Sequence, residues 1–173
     1  DPTWGYGKRA GGGIWTQPAI DAELGLVYVN AANPMPPYDG SARAGKNLFT
    51  NSTIALDLET GELRWYYQTI HHDLWDWDNI TGPTLFDVTD ANGETIKGIA
   101  AAGKNCLLYM WHRDTGEPIN PMVETPVEIR SNVPGEVVYP TQPIPYNARG
   151  IQMTPFCATY LHFDDPELRA KAR

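Results

Sequence analysis

Apolar residues along this chain come in short bursts separated by turn signals. Leu26-Val27-Tyr28-Val29 follows the turn-like Asp21-Ala22-Glu23-Leu24-Gly25. Thr53-Ile54-Ala55-Leu56-Asp57 runs into Glu59-Thr60-Gly61 and re-emerges as Leu63-Arg64-Trp65-Tyr66-Tyr67. Thr84 to Val88 leads into the turn Asp90-Ala91-Asn92-Gly93, and Ile96 to Ala101 and Cys106 to Trp111 are the next candidates. Short strands joined by tight turns predict a sandwich, a barrel or a propeller. A weak internal repeat favours the propeller. Ile54 to Trp65 and Leu108 to Ile119 both read strand, acid-Thr-Gly-Glu turn, then apolar. A period of about 50 residues suits one four-stranded blade.

The last third reads differently. Prolines dominate from Asn120 to Pro155, which predicts an ordered but irregular excursion with Pro-set extended segments. The expected organisation is therefore blades over 1–119 and a Pro-rich excursion over 120–173 leading toward further blades of the same domain. Asp165-Pro166 opens a predicted short helix, with Asp165 as N-cap and Pro166 in the first helical position. A helix of barely two turns is marginal alone. Together with a start at Asp1 rather than Met, this leads us to expect a longer natural chain.

Composition narrows the class. The 173 residues suffice for one domain with a sizeable core. Six Trp, nine Tyr, 16 Gly and 15 Pro point to β structure over helix. A formal net charge of -8 argues against a nucleic-acid partner. No apolar run approaches membrane-spanning length. Cys106 and Cys157 allow one disulfide, or two buried thiols, but no CxxC metal site.

The run His71-His72-Asp73-Leu74-Trp75-Asp76-Trp77-Asp78 carries the most chemistry. Indoles want burial, and carboxylates resist it unless a cation or donors compensate them. If the run is extended, Asp76 and Asp78 point one way and Trp75 and Trp77 the other. Two acids on an aromatic wall suit a hard-metal or acid/base site. The plain alternative is an acidic loop pinned by packing tryptophans. His71 and His72 lack a third zinc ligand at suitable spacing and are read as loop-ordering hydrogen-bond donors.

These motifs resemble those of the quinoprotein dehydrogenases that use pyrroloquinoline quinone (PQQ), eight-bladed β-propellers acting on alcohols or sugars. Ala55-Leu56-Asp57-Leu58-Glu59-Thr60-Gly61-Glu62-Leu63-Arg64-Trp65 fits the tryptophan-docking repeat A-x-D-x-x-T-G-x-x-x-W at every fixed position. Gln68 to Asp78 fits the catalytic-loop pattern, with H-D-x-W-D at His72 to Asp76. Gly25-Leu26-Val27-Tyr28 leading to Asn33-Pro34 fits the metal-ligand segment, and Gly13-Ile14-Trp15 the approach to the ring-stacking tryptophan. The resemblance covers nearly the whole chain, most strongly 11 to 119. It implies an all-β fold, with about three blades' worth of the propeller in this chain.

The resemblance also implies roles. Asp76 falls on the general base, which takes the substrate hydroxyl proton as hydride leaves carbon. A carboxylate of ordinary pKa, about 4, is too weak to deprotonate an alcohol outright, so proton removal is concerted with hydride loss or assisted by a metal. Asn33 falls on a metal ligand, a neutral hard oxygen suited to calcium; the plain alternative is an Asn-Pro turn. Asp78 falls where an added carboxylate is associated with lanthanide use, although glucose-type members carry it too. Trp15 would lie beneath the planar cofactor, with Gly11-Gly12-Gly13 permitting close backbone approach; otherwise it is a core tryptophan. Lys104 would stand beside the quinone oxygens and stabilise negative charge; otherwise it is a surface lysine. Trp65 is structural, tying one blade to the next.

The family's metal-binding glutamate and vicinal cysteine pair belong upstream, and Cys106 and Cys157 cannot replace that pair. The expected function is alcohol or aldose oxidation by hydride transfer to metal-bound PQQ, with Ca2+ or a lanthanide. Asn33-Pro34 looks alcohol-type, whereas the His71 to Asp76 run, Pro134-Gly135-Glu136 and Thr141-Gln142-Pro143 look glucose-type. Expected partners are the remaining propeller segments and, as electron acceptor, a cytochrome c or a membrane quinone, in the periplasm. The competing readings are a non-catalytic propeller scaffold of the same repeat type and a carbohydrate-binding sandwich. A scaffold has no need of Asp76, Asn33, Trp15 and Lys104 together, and a sandwich leaves the docking repeat unexplained.

Overall fold

The computed structural model describes residues 2–5, 9–90, 92–147 and 149–153. Within them the regular structure is nine β-strands and one short 3-10 turn at Pro2–Trp4. β1 (Ala19–Asp21), β2 (Leu26–Asn30), β3 (Ser52–Asp57) and β4 (Leu63–Gln68) form an antiparallel sheet in chain order. β5 (Thr84–Thr89), β6 (Thr95–Ala102) and β7 (Leu108–His112) form a second. β8 (Met122–Pro126) and β9 (Thr141–Pro145) form a two-stranded third. The strands β2 to β7 lie where the apolar bursts predict them, within two residues at each end.

Both predicted acid-Thr-Gly turns form with the same geometry. Asp57 N–H donates to the Glu62 carbonyl at 2.8 Å, and Gly61 N–H to the Asp57 carbonyl at 2.9 Å. One repeat later His112 N–H donates to Glu117 and Gly116 N–H to His112, both at 2.8 Å. Gly61 and Gly116 sit at φ +73° and +76°, where a side chain would be strained. The second sheet ends early. After its turn the chain pairs with β7 through the Trp111–Pro118 bridge alone, with the Ile119 N–H donating to the Met110 carbonyl at 3.0 Å.

The first two sheets pack face to face. Leu26, Tyr28, Ala55 and Trp65 from one meet Ile99, Ala101, Tyr109 and Trp111 from the other, all buried. The contact is aromatic: Trp111 of the second sheet lies 5.5 Å from Tyr67 and 6.4 Å from Trp65 of the first, centroid to centroid. Trp65 also donates its indole N–H to the Arg113 carbonyl at 3.1 Å. It thus docks one sheet on the turn of the next, the role expected of it. Up-and-down antiparallel sheets docked serially in this way are the repeating unit of a propeller.

The Pro-rich excursion is more regular than expected, since β8 and β9 pair across it. Gln142 of β9 grips His71 on both sides, accepting from its N–H and donating to its carbonyl at 2.8 Å each. The hairpin thereby buttresses the loop that follows β4. Cys106 is disulfide-bonded, with its partner outside the described residues. The predicted helix from Asp165 also lies outside them.

Candidate active site

Asn33, Asp76, Asp78 and Lys104 lie on segments that leave β2, β4 and β6 at their C-terminal ends, and Trp15 lies on the segment that precedes β1. Beyond β2 the chain stays paired: Ala31 N–H donates to Ser52, and Asn51 N–H to Ala32. This carries Asn33 forward in a fixed register. The glycine run binds alongside, with Gly12 N–H donating to Asn33 O and Ala32 N–H to Gly13 O, both at 2.9 Å. A Cβ at Gly11 would stand 2.4 Å from Asn33 O, so this approach requires glycine. Trp15, two residues past the clamp, is 58% exposed and is no core tryptophan.

Beyond β6 the antiparallel pairing extends through the Asn79–Gly103 bridge. Lys104 N–H donates to the Asp78 carbonyl at 2.9 Å, which sets Lys104 opposite Asp78. Its ammonium group then bridges two carboxylates, Asp78 Oδ2 at 2.7 Å and Asp76 Oδ2 at 2.9 Å. Partial burial opposes charge on Lys104, but the bonds and fields of Asp78 and Asp76 outweigh it and raise its pKa. Asp78 Oδ1 accepts the Asn33 N–H at 2.7 Å. Asp78 is only 5% exposed and Asn33 8%, so neither is a loose surface residue. The Asn33 side-chain NH2 is spent on the Pro34 carbonyl, which turns its amide oxygen away from that bond.

The alternation expected of the 71–78 run is present, but its cause is not an extended strand. The segment is irregular, and Asp76 lies in the left-handed region at φ +60°. Trp75 and Trp77 stack on each other at 4.6 Å and 25°, while Asp76 and Asp78 converge on Lys104. His71 and His72 are buried loop anchors, as expected. His72 Nδ1 donates to the Gly45 carbonyl, and His71 contacts Gln68 and Glu124. Three buried residues escaped the sequence reading. Asp73 accepts from the loop backbone, Asn51 donates to Asp73, and Arg43 donates to the Asp73 carbonyl. Only Asp73 stood within a motif; nothing local marks the other two.

The donor set fits a hard cation, because two carboxylates already converge on one cationic group with an amide oxygen donor on the adjoining residue. Among the described residues no three His, Cys, Asp or Glu side chains gather as a metal cluster, so Asn33 is needed to extend the set. A cleft of 420 Å³ lined by Trp4, Arg9, Gly11, Ile14, Leu48 and Phe49 contains none of the five candidates.

The profile of a known family, described as PQQ: Glucose/ethanol/alcohol dehydrogenase, beta-propeller domain, matches residues 1–167. The chain belongs to this family. Within the family it is 38% identical to the quinoprotein glucose dehydrogenase of Gluconobacter oxydans over 131 residues, covering 75% of the chain and 16% of the relative. It is 30% identical to a quinoprotein alcohol dehydrogenase of Pseudomonas putida over 171 residues, covering 87% of the chain and 27% of the relative. The quinohemoprotein alcohol dehydrogenase of Comamonas testosteroni superimposes with a TM-score of 0.60 at 30% identity, over 86% of the chain and 20% of that structure. A europium-containing methanol dehydrogenase superimposes at 0.59 and 27% identity, over 71% and 22%. This PQQ-family chain thus spans about a quarter or less of the length of these relatives, and its fold is the all-β propeller of the family.

Proposed function

We propose that this chain supplies the catalytic loop and part of the cofactor and metal site of a dehydrogenase that oxidises an alcohol or aldose hydroxyl. PQQ, when bound, supplies the hydride acceptor. The observation that carries this reading is the meeting of Lys104, Asp76, Asp78 and Asn33 at one end of the sheets. Neither a scaffold nor a sugar-binding surface needs a buried carboxylate tied to a lysine and a backbone N–H.

Each residue has a derived task. Lys104 occupies Asp76 Oδ2, which leaves Oδ1 to accept the substrate hydroxyl proton. Asn33, Asp76 and Asp78 are the oxygen donors for Ca2+ or a lanthanide. Since Ca2+ takes six to eight oxygens, further ligands come from elsewhere in the site. Trp15 offers an uncovered indole face for a planar ring. Lys104 places a fixed positive charge where negative charge develops during reduction. The electron acceptor is a cytochrome c or a membrane quinone, and the location is periplasmic.

The test is substrate-dependent dye reduction by the full-length protein reconstituted with PQQ and either Ca2+ or La3+. Glucose, ethanol and glycerol are compared, with Asp76→Asn as control. Activity that needs PQQ and metal and drops about 10³-fold in Asp76→Asn supports the reading. Turnover unchanged by Asp76→Asn removes the assigned base, and no PQQ-dependent turnover refutes the function.

A further inference from the structure

We propose that Asp73 is the positioning residue of this site: its buried carboxylate clasps the backbone on both sides of Asp76 and so aims Asp76 and Asp78. The proposal rests on the functional reading above for the meaning of that aim, and on geometry for the clasp itself.

Asp73 is fully buried, at 0% exposure. Its Oδ1 accepts the Trp75 N–H at 2.8 Å, and its Oδ2 accepts the Trp77 N–H at 2.7 Å. Asp76 is therefore the one residue between two backbone groups held by a single carboxylate. It also sits in the left-handed region at φ +60°, as His72 does at +48°, a conformation uncommon for a non-glycine residue. Asn51, the residue just before β3, closes the clasp. Its side-chain NH2 donates to Asp73 Oδ2 at 3.1 Å and to the Trp77 carbonyl at 2.9 Å. Arg43, also fully buried, donates to the Asp73 carbonyl. Both oxygens of Asp73 thus face donors, and every donor belongs to the loop or to the framework beneath it.

The consequence is directional. With Trp75 N and Trp77 N drawn to one point, their indoles stack on one side and the carboxylates of Asp76 and Asp78 emerge toward Lys104. Burial pushes the Asp73 carboxyl pKa up, while bonds from Trp75, Trp77 and Asn51 oppose this. A carboxylate kept at this depth has no solvent role and touches neither Lys104 nor the candidate metal ligands' side chains. An amide at position 73 would keep one acceptor and turn an NH2 toward one of the same N–H groups.

The experiment uses the full-length protein with PQQ and Ca2+, comparing wild type, Asp73→Asn and Asp73→Ser. Serine retains a short acceptor for the Trp75 N–H but none for Trp77. Two quantities are read: kcat against KM for the substrate turned over best, and the Trp–Trp exciton component of the circular dichroism, defined as what Trp75→Phe removes. The expected result for Asp73→Asn is a fall in kcat of about 10²-fold with KM within about twofold, together with loss of that component. Asp73→Ser should lie between wild type and Asp73→Asn on both, and it decides alone if Asp73→Asn does not fold. Wild-type kcat, or a kcat loss with the exciton component retained, overturns the proposal. Should wild type show no PQQ-dependent turnover, the functional reading fails separately. The exciton component then decides the clasp: its loss in the variants supports it and its retention overturns it.

Discussion

Trp65 and Gly116 meet so closely that a Cβ on Gly116 would stand 2.6 Å from the indole. The turn of the second repeat is thus a seat for the tryptophan of the first. Gly116→Ala is expected to combine overpacking, about 1–3 kcal/mol, with left-handed backbone strain of about 1 kcal/mol. The equivalent glycine of the first turn, Gly61, has open space around its Cα and nearly the same φ. Gly61→Ala should therefore cost the strain alone. Thermal melts of the two variants in the full-length protein measure the difference, and equal losses would mean that Trp65 docking contributes nothing.

Arg113 holds the two sheets together electrically. Its Nε lies 2.7 Å from Asp21 Oδ2 at the end of β1, and its Nη1 lies 2.9 Å from Asp87 Oδ1 in β5. The first contact is a charge contact rather than a directed hydrogen bond, since neither atom is aimed along the bond axis. Arg113 and Asp21 are both buried, so Arg113→Met leaves an uncompensated carboxylate. The expected cost is about 3–5 kcal/mol in denaturant unfolding. Arg113→Met with Asp21→Asn should recover part of it, and an additive double variant would show that the pair is uncoupled.

Asp78→Ala separates structural from metal-binding work. The Asn33 N–H loses a buried acceptor, which should cost about 1–3 kcal/mol of stability. If Asp78 is also a ligand, the La3+-induced rise in melting temperature should shrink more than the Ca2+-induced rise, because the trivalent ion gains more from a second carboxylate. Equal shrinkage would assign Asp78 to the scaffold of Asn33.

His72 makes the fold acid-sensitive. It is buried, with Nδ1 bonded to Gly45 O at 2.8 Å and Nε2 without a partner. Burial lowers its pKa below 6.5. The unfolded chain therefore binds the proton more readily than the folded one. The stability from neutral His72 is fully present above about pH 6.5 and is lost as pH falls toward the lowered value. His72→Asn keeps a donor for Gly45 O and removes the titration. Its melting temperature should decline less between pH 7 and pH 5 than that of wild type, and parallel declines would exclude His72 as the cause.

The six strands from Leu26 to His112 were legible because their apolar bursts and Thr-Gly turns are local signals, each sufficient over a few residues. β1 has three residues, too few to carry a pattern, and β8 and β9 carry prolines that argue against strands. Their pairing is a tertiary outcome, with Gln142 tied to His71 and Glu124 close to the same ring. In the site, Asp76, Asp78, Asn33, Trp15 and Lys104 were singled out through motifs and the family resemblance, and the structure brings the first three and Lys104 together; the alternation of acids and indoles was read correctly for the wrong geometric reason.

By itself the sequence determined the strand-and-turn alphabet, the docking tryptophan and the identity of the residues with chemistry to offer, because these depend on side-chain type and short-range spacing. Only the tertiary structure decided which of them meet. Lys104 reaches both acids because β6 pairs antiparallel with the segment after Asp78. Asp76 points there because Asp73 and Asn51, hidden below the loop, take up the backbone groups around it. Convergence of this kind is set by strand register and by buried hydrogen bonds between distant segments, and no local pattern of residues encodes either.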